Sequence, residues 1–126
     1  MTDNQFYNDP AIAIMPMGFC YPGRGRGGDL PPRVECAPRW HQPLLDQMRE
    51  RRLILLIGDY AQRFYLPHVR QESLSDRVRG YRRFLPTYFP LPHPSPRNTK
   101  WISDRPWFAS EVLPRLRIEV ARAITG

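Results

Sequence analysis

Lysine is almost absent from this chain: of its 19 basic residues, only Lys100 is not an arginine. Acidic residues are also scarce, 12 in all, which leaves a formal net charge of +7 over 126 residues. No apolar run approaches the ~18 residues needed to span a bilayer. The segment from Met1 to Asp9 lacks the basic-then-apolar pattern of a secretory leader. Two cysteines are too few for a disulfide scaffold. These absences predict a soluble, cytoplasmic protein. No internal repeat is visible, and His41 and His68 have no metal-ligand spacing with each other or with the cysteines, which argues against a zinc site.

What is present fits one small folded domain, residues 1–126. Apolar residues make up 41% of the chain and aromatics 12%, more than a disordered tail carries. Fifteen prolines, clustered in 16–43 and 86–96, predict ordered loops around shorter elements. An arginine excess suits a polyanionic partner, because the guanidinium contacts phosphate bidentately and stacks on bases. A GC-rich coding bias produces the same excess, so charge alone leaves both explanations open.

Apolar runs at 11–15, 53–57 and 87–91 read as strands, the first two as fully buried parallel strands. Trp40, Leu44, Leu45 and Met48 predict an amphipathic helix over 40–51, and Tyr60, Ala61, Phe64 and Tyr65 a short one after Gly58. Residues 73–85 read as a helix with Leu74, Val78, Tyr81 and Leu85 on one face. Arg77, Arg79, Arg82 and Arg83 crowd the remainder, either facing DNA or simply solvated. A last helix is expected from Ser103 or Asp104, with Phe108, Val112, Leu116, Val120 and Ile124 buried. This order predicts an α/β layered domain with a parallel sheet, whose ligand loops lie after the strands at 16–28, 58–60 and 92–98.

Gly23-Arg24-Gly25-Arg26-Gly27-Gly28 lacks the Gly-Lys-Ser/Thr ending of a phosphate loop, which excludes a nucleotide triphosphatase of that type. It reads as a basic loop, near DNA or merely solvated. Leu91-Pro92-His93-Pro94-Ser95-Pro96-Arg97-Asn98 is the sharpest local feature. Prolines flanking His93 and Ser95 fix φ and remove backbone donors, which stiffens the loop. A stiff loop carrying an imidazole and a hydroxyl suits a preorganised site, though an exposed histidine in an ordinary Pro-rich loop has the same composition.

His93-Pro94-Ser95-Pro96 resembles the C-terminal active-site motif of the uracil-DNA glycosylase superfamily. Leu55-Leu56-Ile57-Gly58-Asp59-Tyr60-Ala61-Gln62 resembles the strand and turn that precede it. Met15 to Gly23, followed by Glu35-Cys36-Ala37-Pro38, is similar to the iron–sulfur branch, where two cysteines sixteen positions apart are cluster ligands, as Cys20 and Cys36 are spaced here. The resemblance spans residues 10–98 and implies a parallel-sheet fold that hydrolyses the N-glycosidic bond of a flipped-out damaged base in DNA. It implies His93 as the catalytic donor to the leaving uracil. Ser95 and adjoining amides would hold a DNA phosphate; position along the loop adds Arg97 and Asn98 to that contact, and the basic loop offers Arg24 and Arg26 as DNA contacts.

The chain also departs from the family. Nothing in residues 1–10 resembles the superfamily's first motif, so the expectation is a domain lacking its first strand and helix, for which a start site placed too late is one of three explanations, beside a shortened active enzyme and a relic. The family's uracil-reading asparagine is replaced by Pro16 and Met17; backbone groups of Pro16, Met17 and Gly18 would have to bind the base. Cys20 and Cys36 are half of the four thiolates a [4Fe–4S] cluster requires, so no cofactor is expected in this chain and a cluster only in a longer form with upstream cysteines. The alternative to an active hydrolase is an inactive relic of the fold that binds DNA non-specifically through Arg24, Arg26, Arg97 and Lys100.

Overall fold

A computed structural model describes residues 12–18, 24–25, 28–29, 31, 34–48 and 53–125. They divide into two compact units, Met1–Arg49 and Glu50–Gly126.

In the first unit, β1 (Arg24–Gly25) pairs antiparallel with β2 (Gly28–Asp29) inside the glycine-rich loop. Helix α1 (Cys36–Asp46) follows. It starts four residues before the predicted helix and ends sooner, and it turns a different face inward. Cys36, Ala37, His41 and Leu45 are buried, while Trp40 and Leu44 are exposed. The physical reason is a polar contact that periodicity does not register: His41 Nε2 donates to the Pro16 carbonyl at 2.8 Å, which satisfies a buried imidazole. The expected strand over 11–15 is not formed at Ile12–Met15, and Ile14 is 63% exposed. Apolar composition favours an extended chain but supplies no ladder partner, and without one there is no strand.

In the second unit, β3 (Ile54–Ile57) and β4 (Tyr88–Leu91) pair in parallel, with Ile54 opposite Tyr88 and Ile57 opposite Leu91. Parallel neighbours need a long crossover, and α2 (Asp59–Tyr65), a 3-10 turn (Pro67–Val69), α3 (Leu74–Arg79) and a second 3-10 turn (Tyr81–Phe84) supply it. Val78, Tyr81, Phe89, Leu91, Phe108 and Val112 form the core, with Tyr81 stacked on Phe89 at 4.7 Å between centroids. β3 is less buried than its all-apolar run predicts. Leu56 is buried, whereas Leu55 and Ile57, which alternate to the other side of the strand, are exposed.

The helix predicted over 73–85 is broken at Gly80. Ser73 caps α3 by accepting the Asp76 N–H at 3.1 Å, and the chain then tightens into the 3-10 turn that drives Tyr81 and Phe84 inward. A Cβ at position 80 would lie 2.8 Å from the Arg83 guanidinium, the far end of a half-exposed side chain that can move aside. The C-terminal helix also differs from its expected form. Asp104 closes α4 (Thr99–Ser103) rather than opening a helix. After Pro106 the chain forms a π turn (Phe108–Val112) before α5 (Leu113–Thr125). The Leu113 N–H reaches back five residues to the Phe108 carbonyl, and Pro114 has no N–H to restore the α ladder, which accounts for the widened turn.

Candidate functional site at the carboxyl edge of the parallel strands

Parallel pairing sends the chain out of β3 and β4 at the same edge. The turn after β3 is Gly58-Asp59, and the loop after β4 is Pro92–Asn98. Gly58 takes φ +90°, a left-handed conformation that glycine adopts without strain, and its N–H donates to the Leu91 carbonyl at 2.9 Å. The two exits are thereby joined by a backbone hydrogen bond.

A buried polar network lies beneath the β3 exit. Gln62, fully buried on α2, donates from Nε2 to the carbonyls of Leu56 (3.1 Å) and Leu91 (2.9 Å), one on each strand. Its Oε1 accepts from Arg77 Nε at 2.8 Å, which fixes the orientation of the amide. Arg77 is 0% exposed, yet charged. Its Nη1 donates to the Glu72 carbonyl at 3.0 Å and its Nη2 pairs with the Asp59 carboxylate. Burying a guanidinium is costly unless its donors are engaged and its charge is compensated, and both conditions are met here. Asp59 also lies 3.6 Å from Arg63, one turn along α2, and stays half-exposed at the site edge.

The His93 loop is held differently. The His93 carbonyl accepts the Ser95 N–H at 2.8 Å and the side-chain amide of Asn98. Ser95 Oγ accepts the Arg97 N–H at 3.2 Å, the Ser95 carbonyl accepts the Asn98 N–H at 2.9 Å, and Thr99 Oγ1 donates to the Pro96 carbonyl at 2.8 Å. Prolines 94 and 96 have no N–H, and the amides of Ser95, Arg97 and Asn98 are engaged within the loop. The amides adjoining Ser95 are thus engaged within the loop in this structure. The His93 ring is exposed.

Of the residues singled out from sequence, His93, Ser95, Arg97 and Asn98 share this one loop. Pro16, Met17 and Gly18 belong to the first unit, where they form no helix or strand, as does Arg24 on β1. Cys36 is a buried free thiol at the start of α1. Arg26 and Cys20 lie outside the described residues. Among the described residues no group of three or more His, Cys, Asp or Glu could hold a metal ion, and no helix is long and apolar enough to cross a membrane. Sequence reasoning missed Asp59, Gln62 and Arg77 as a unit. Asp59 and Gln62 sit one helical turn apart, but nothing in the spacing announces that Arg77 folds inward to meet them.

The surface charges nearby are largely paired. Arg83 donates to both Glu72 carboxylate oxygens, at 2.8 and 2.9 Å. That hydrogen bonding holds the Glu72 carboxyl below its ordinary value and raises the Arg83 guanidinium above its own.

With this geometry in place, the comparison with known families is direct. The family model of the Uracil DNA glycosylase superfamily matches residues 1–117, covering β3, the Gly58-Asp59 turn, β4 and the His93 loop, and the chain belongs to that superfamily.

Proposed function

We propose that this protein is a uracil-DNA glycosylase-like hydrolase of base-excision repair, with His93 as the electrostatic catalyst. The observation that carries the reading is the parallel β3–β4 register, Ile57 opposite Leu91, with Gly58 bonded to Leu91. It brings the two loops that match the superfamily's closing motifs to one edge, where an extrahelical base can meet them. In the reaction, water adds to C1′ of the deoxyribose as the C1′–N1 bond breaks, and the proton it gives up passes to solvent, from which the departed base is neutralised. The sugar carries oxocarbenium-like charge in the transition state and the base departs as an anion. His93 donates a hydrogen bond to the uracil carbonyl on which that charge grows. One preorganised donor of this kind supplies about 3 kcal/mol of transition-state stabilisation.

The stiffness of the loop supports this role. His93 is flanked by Pro92 and Pro94, and its carbonyl is held from two sides, so the imidazole starts from a fixed backbone. Because the loop amides are engaged, a phosphate beside the site would be held by the Ser95 hydroxyl, which can donate while accepting from the Arg97 N–H, and by the Arg97 side chain. Asn98 acts chiefly as a brace for His93.

The iron–sulfur affiliation rests on Cys20 and Cys36 alone, half of a four-thiolate set, and no step above passes through a cluster. Iron content and visible absorbance of the protein with any upstream sequence test it; a colourless, iron-free preparation ends the idea.

The function is tested by incubating the protein with a labelled single-stranded oligonucleotide containing one uracil and reading strand scission after alkali. Cleavage that falls sharply in His93→Ala is expected. Salt-dependent binding of the oligonucleotide with no excision by folded protein would replace this reading with the non-catalytic, DNA-binding one.

A further inference from the structure

The four arginines of residues 77–83 have three different fates. Arg77 is buried in the network below the β3 exit. Arg83 spends its donors on Glu72 and on the Gly80 carbonyl. Arg79 and Arg82 are exposed, and among the described residues neither forms an ion pair or hydrogen bond. Each is instead laid over an aromatic ring: Arg79 over Trp107 at 5.2 Å from the centroid, Arg82 over Tyr81 at 5.4 Å.

That combination is informative because a neighbouring arginine shows the alternative. Arg105 also covers an indole, that of Trp101 at 4.7 Å, but its Nε donates to Ser75 Oγ and its Nη1 to the Trp101 carbonyl. Arg105 is consumed by the fold. Arg79 and Arg82 have the same ring support with every N–H still unspent. A guanidinium that rests against a ring keeps its planar donor fork, and the ring limits the freedom it has left to lose when the fork is filled. Trp107 contacts Trp101 edge-on at 5.9 Å and packs on the core, so the ring beneath Arg79 is itself fixed.

We propose that Arg79 and Arg82 form a second DNA contact, two ring-supported guanidinium forks that grip the phosphate backbone apart from the His93 loop. This rests on the reading that the protein acts on DNA. Charge selects the occupant: the chain carries +7, and among the described residues no carboxylate pairs with these two cations, whereas Arg63, Arg83, Lys100, Arg115 and Arg122 each have one. A planar fork matches the two oxygens of a phosphodiester, and a repeating phosphate offers two such groups to two such forks. The contact fixes the strand without reading its sequence.

The test is fluorescence anisotropy with a labelled, uracil-free single-stranded oligonucleotide, titrated at several salt concentrations. The variants are R79Q/R82Q and, as a charge-matched control on α5, R117Q/R122Q, each checked by circular dichroism for unchanged folding. The expected loss in R79Q/R82Q is on the order of tenfold in affinity, with the log–log salt slope shallower by about 1.4, two contacts at ~0.7 each. R79K/R82K, which keeps the charge without the planar fork, is expected to recover only part of the affinity. An unchanged slope in R79Q/R82Q, an equal loss in the control, or full recovery by lysine overturns the proposal. Uracil excision separates the two claims. A parent protein that binds as described but excises nothing leaves this surface standing and sinks the glycosylase reading. A parent that excises while R79Q/R82Q binds like the parent does the reverse.

Discussion

The two loops at the carboxyl edge are fixed by opposite means. The Gly58-Asp59 turn is held from below by side chains distant in sequence: Gln62 grips both strands and Arg77 reaches the Asp59 carboxylate from a fully buried position. The His93 loop is held by itself, through prolines and hydrogen bonds that span two to five residues. The first arrangement ties the turn to the global stability of the unit, since it fails only when α2 or α3 moves. The second gives a loop whose shape depends little on the rest of the fold. A site assembled from both has one wall anchored in the core and one that is locally rigid, which suits chemistry in which a base must enter and leave.

The comparison predicts different outcomes for damage on each side. Arg77→Ala should have the largest effect on stability, about 3–5 kcal/mol in a denaturant titration, because it opens a cavity and strips partners from Gln62 and Asp59 together. A loss below ~1 kcal/mol would mean that the network is not what holds the turn. Gly58→Ala should follow at about 1–2 kcal/mol, the cost of a side chain at φ +90°, even though nothing lies within 4 Å of the added Cβ. Asn98→Ala should cost only about 1 kcal/mol of stability, the worth of one hydrogen bond, while lowering excision by a larger factor as the His93 backbone loosens. Equal effects on stability and excision would dissolve the distinction between the loops.

The smallest effect belongs to the Glu72–Arg83 pair, which sits at the surface. Its disruption by Glu72→Gln should cost under ~1 kcal/mol and less at high salt. Glu72 ionises below its ordinary 4.5 when folded, so its contribution is complete above that value and is lost as the pH falls through the lower, folded one. The raised Arg83 value acts only at extreme alkalinity. A stability difference between Glu72→Gln and the parent that does not shrink as the pH is lowered below 4.5 would contradict this assignment.

The sequence made one of these loops legible and concealed the other. Prolines around His93 and Ser95 are local facts, and local rules read them correctly as a stiff loop after a strand. β3 and β4 were likewise visible as apolar runs, with β3 ending at a glycine that proved to need its positive φ. The Gln62–Arg77–Asp59 network is non-local. Arg77 sits in an arginine-rich stretch that resembles a solvated helix face, and only the break at Gly80 and the packing of α3 against β4 decide which arginine turns inward. The same limit explains α1. Trp40 and Leu44 looked like its buried face, but His41 found a carbonyl partner at Pro16 and took their place. Pro114 was visible from the start, but its consequence, a π turn that splits the C-terminal helix, depends on the residues before it.

The most direct test of the central claim is the single-turnover rate of uracil release from a single-stranded oligonucleotide, compared between the parent and His93→Ala at saturating protein. His93 is exposed, so the variant should keep the parent's melting temperature while the rate falls by roughly 10²–10³-fold, the loss of one preorganised donor. Equal rates in the two proteins would contradict the assignment of His93 as the catalytic group.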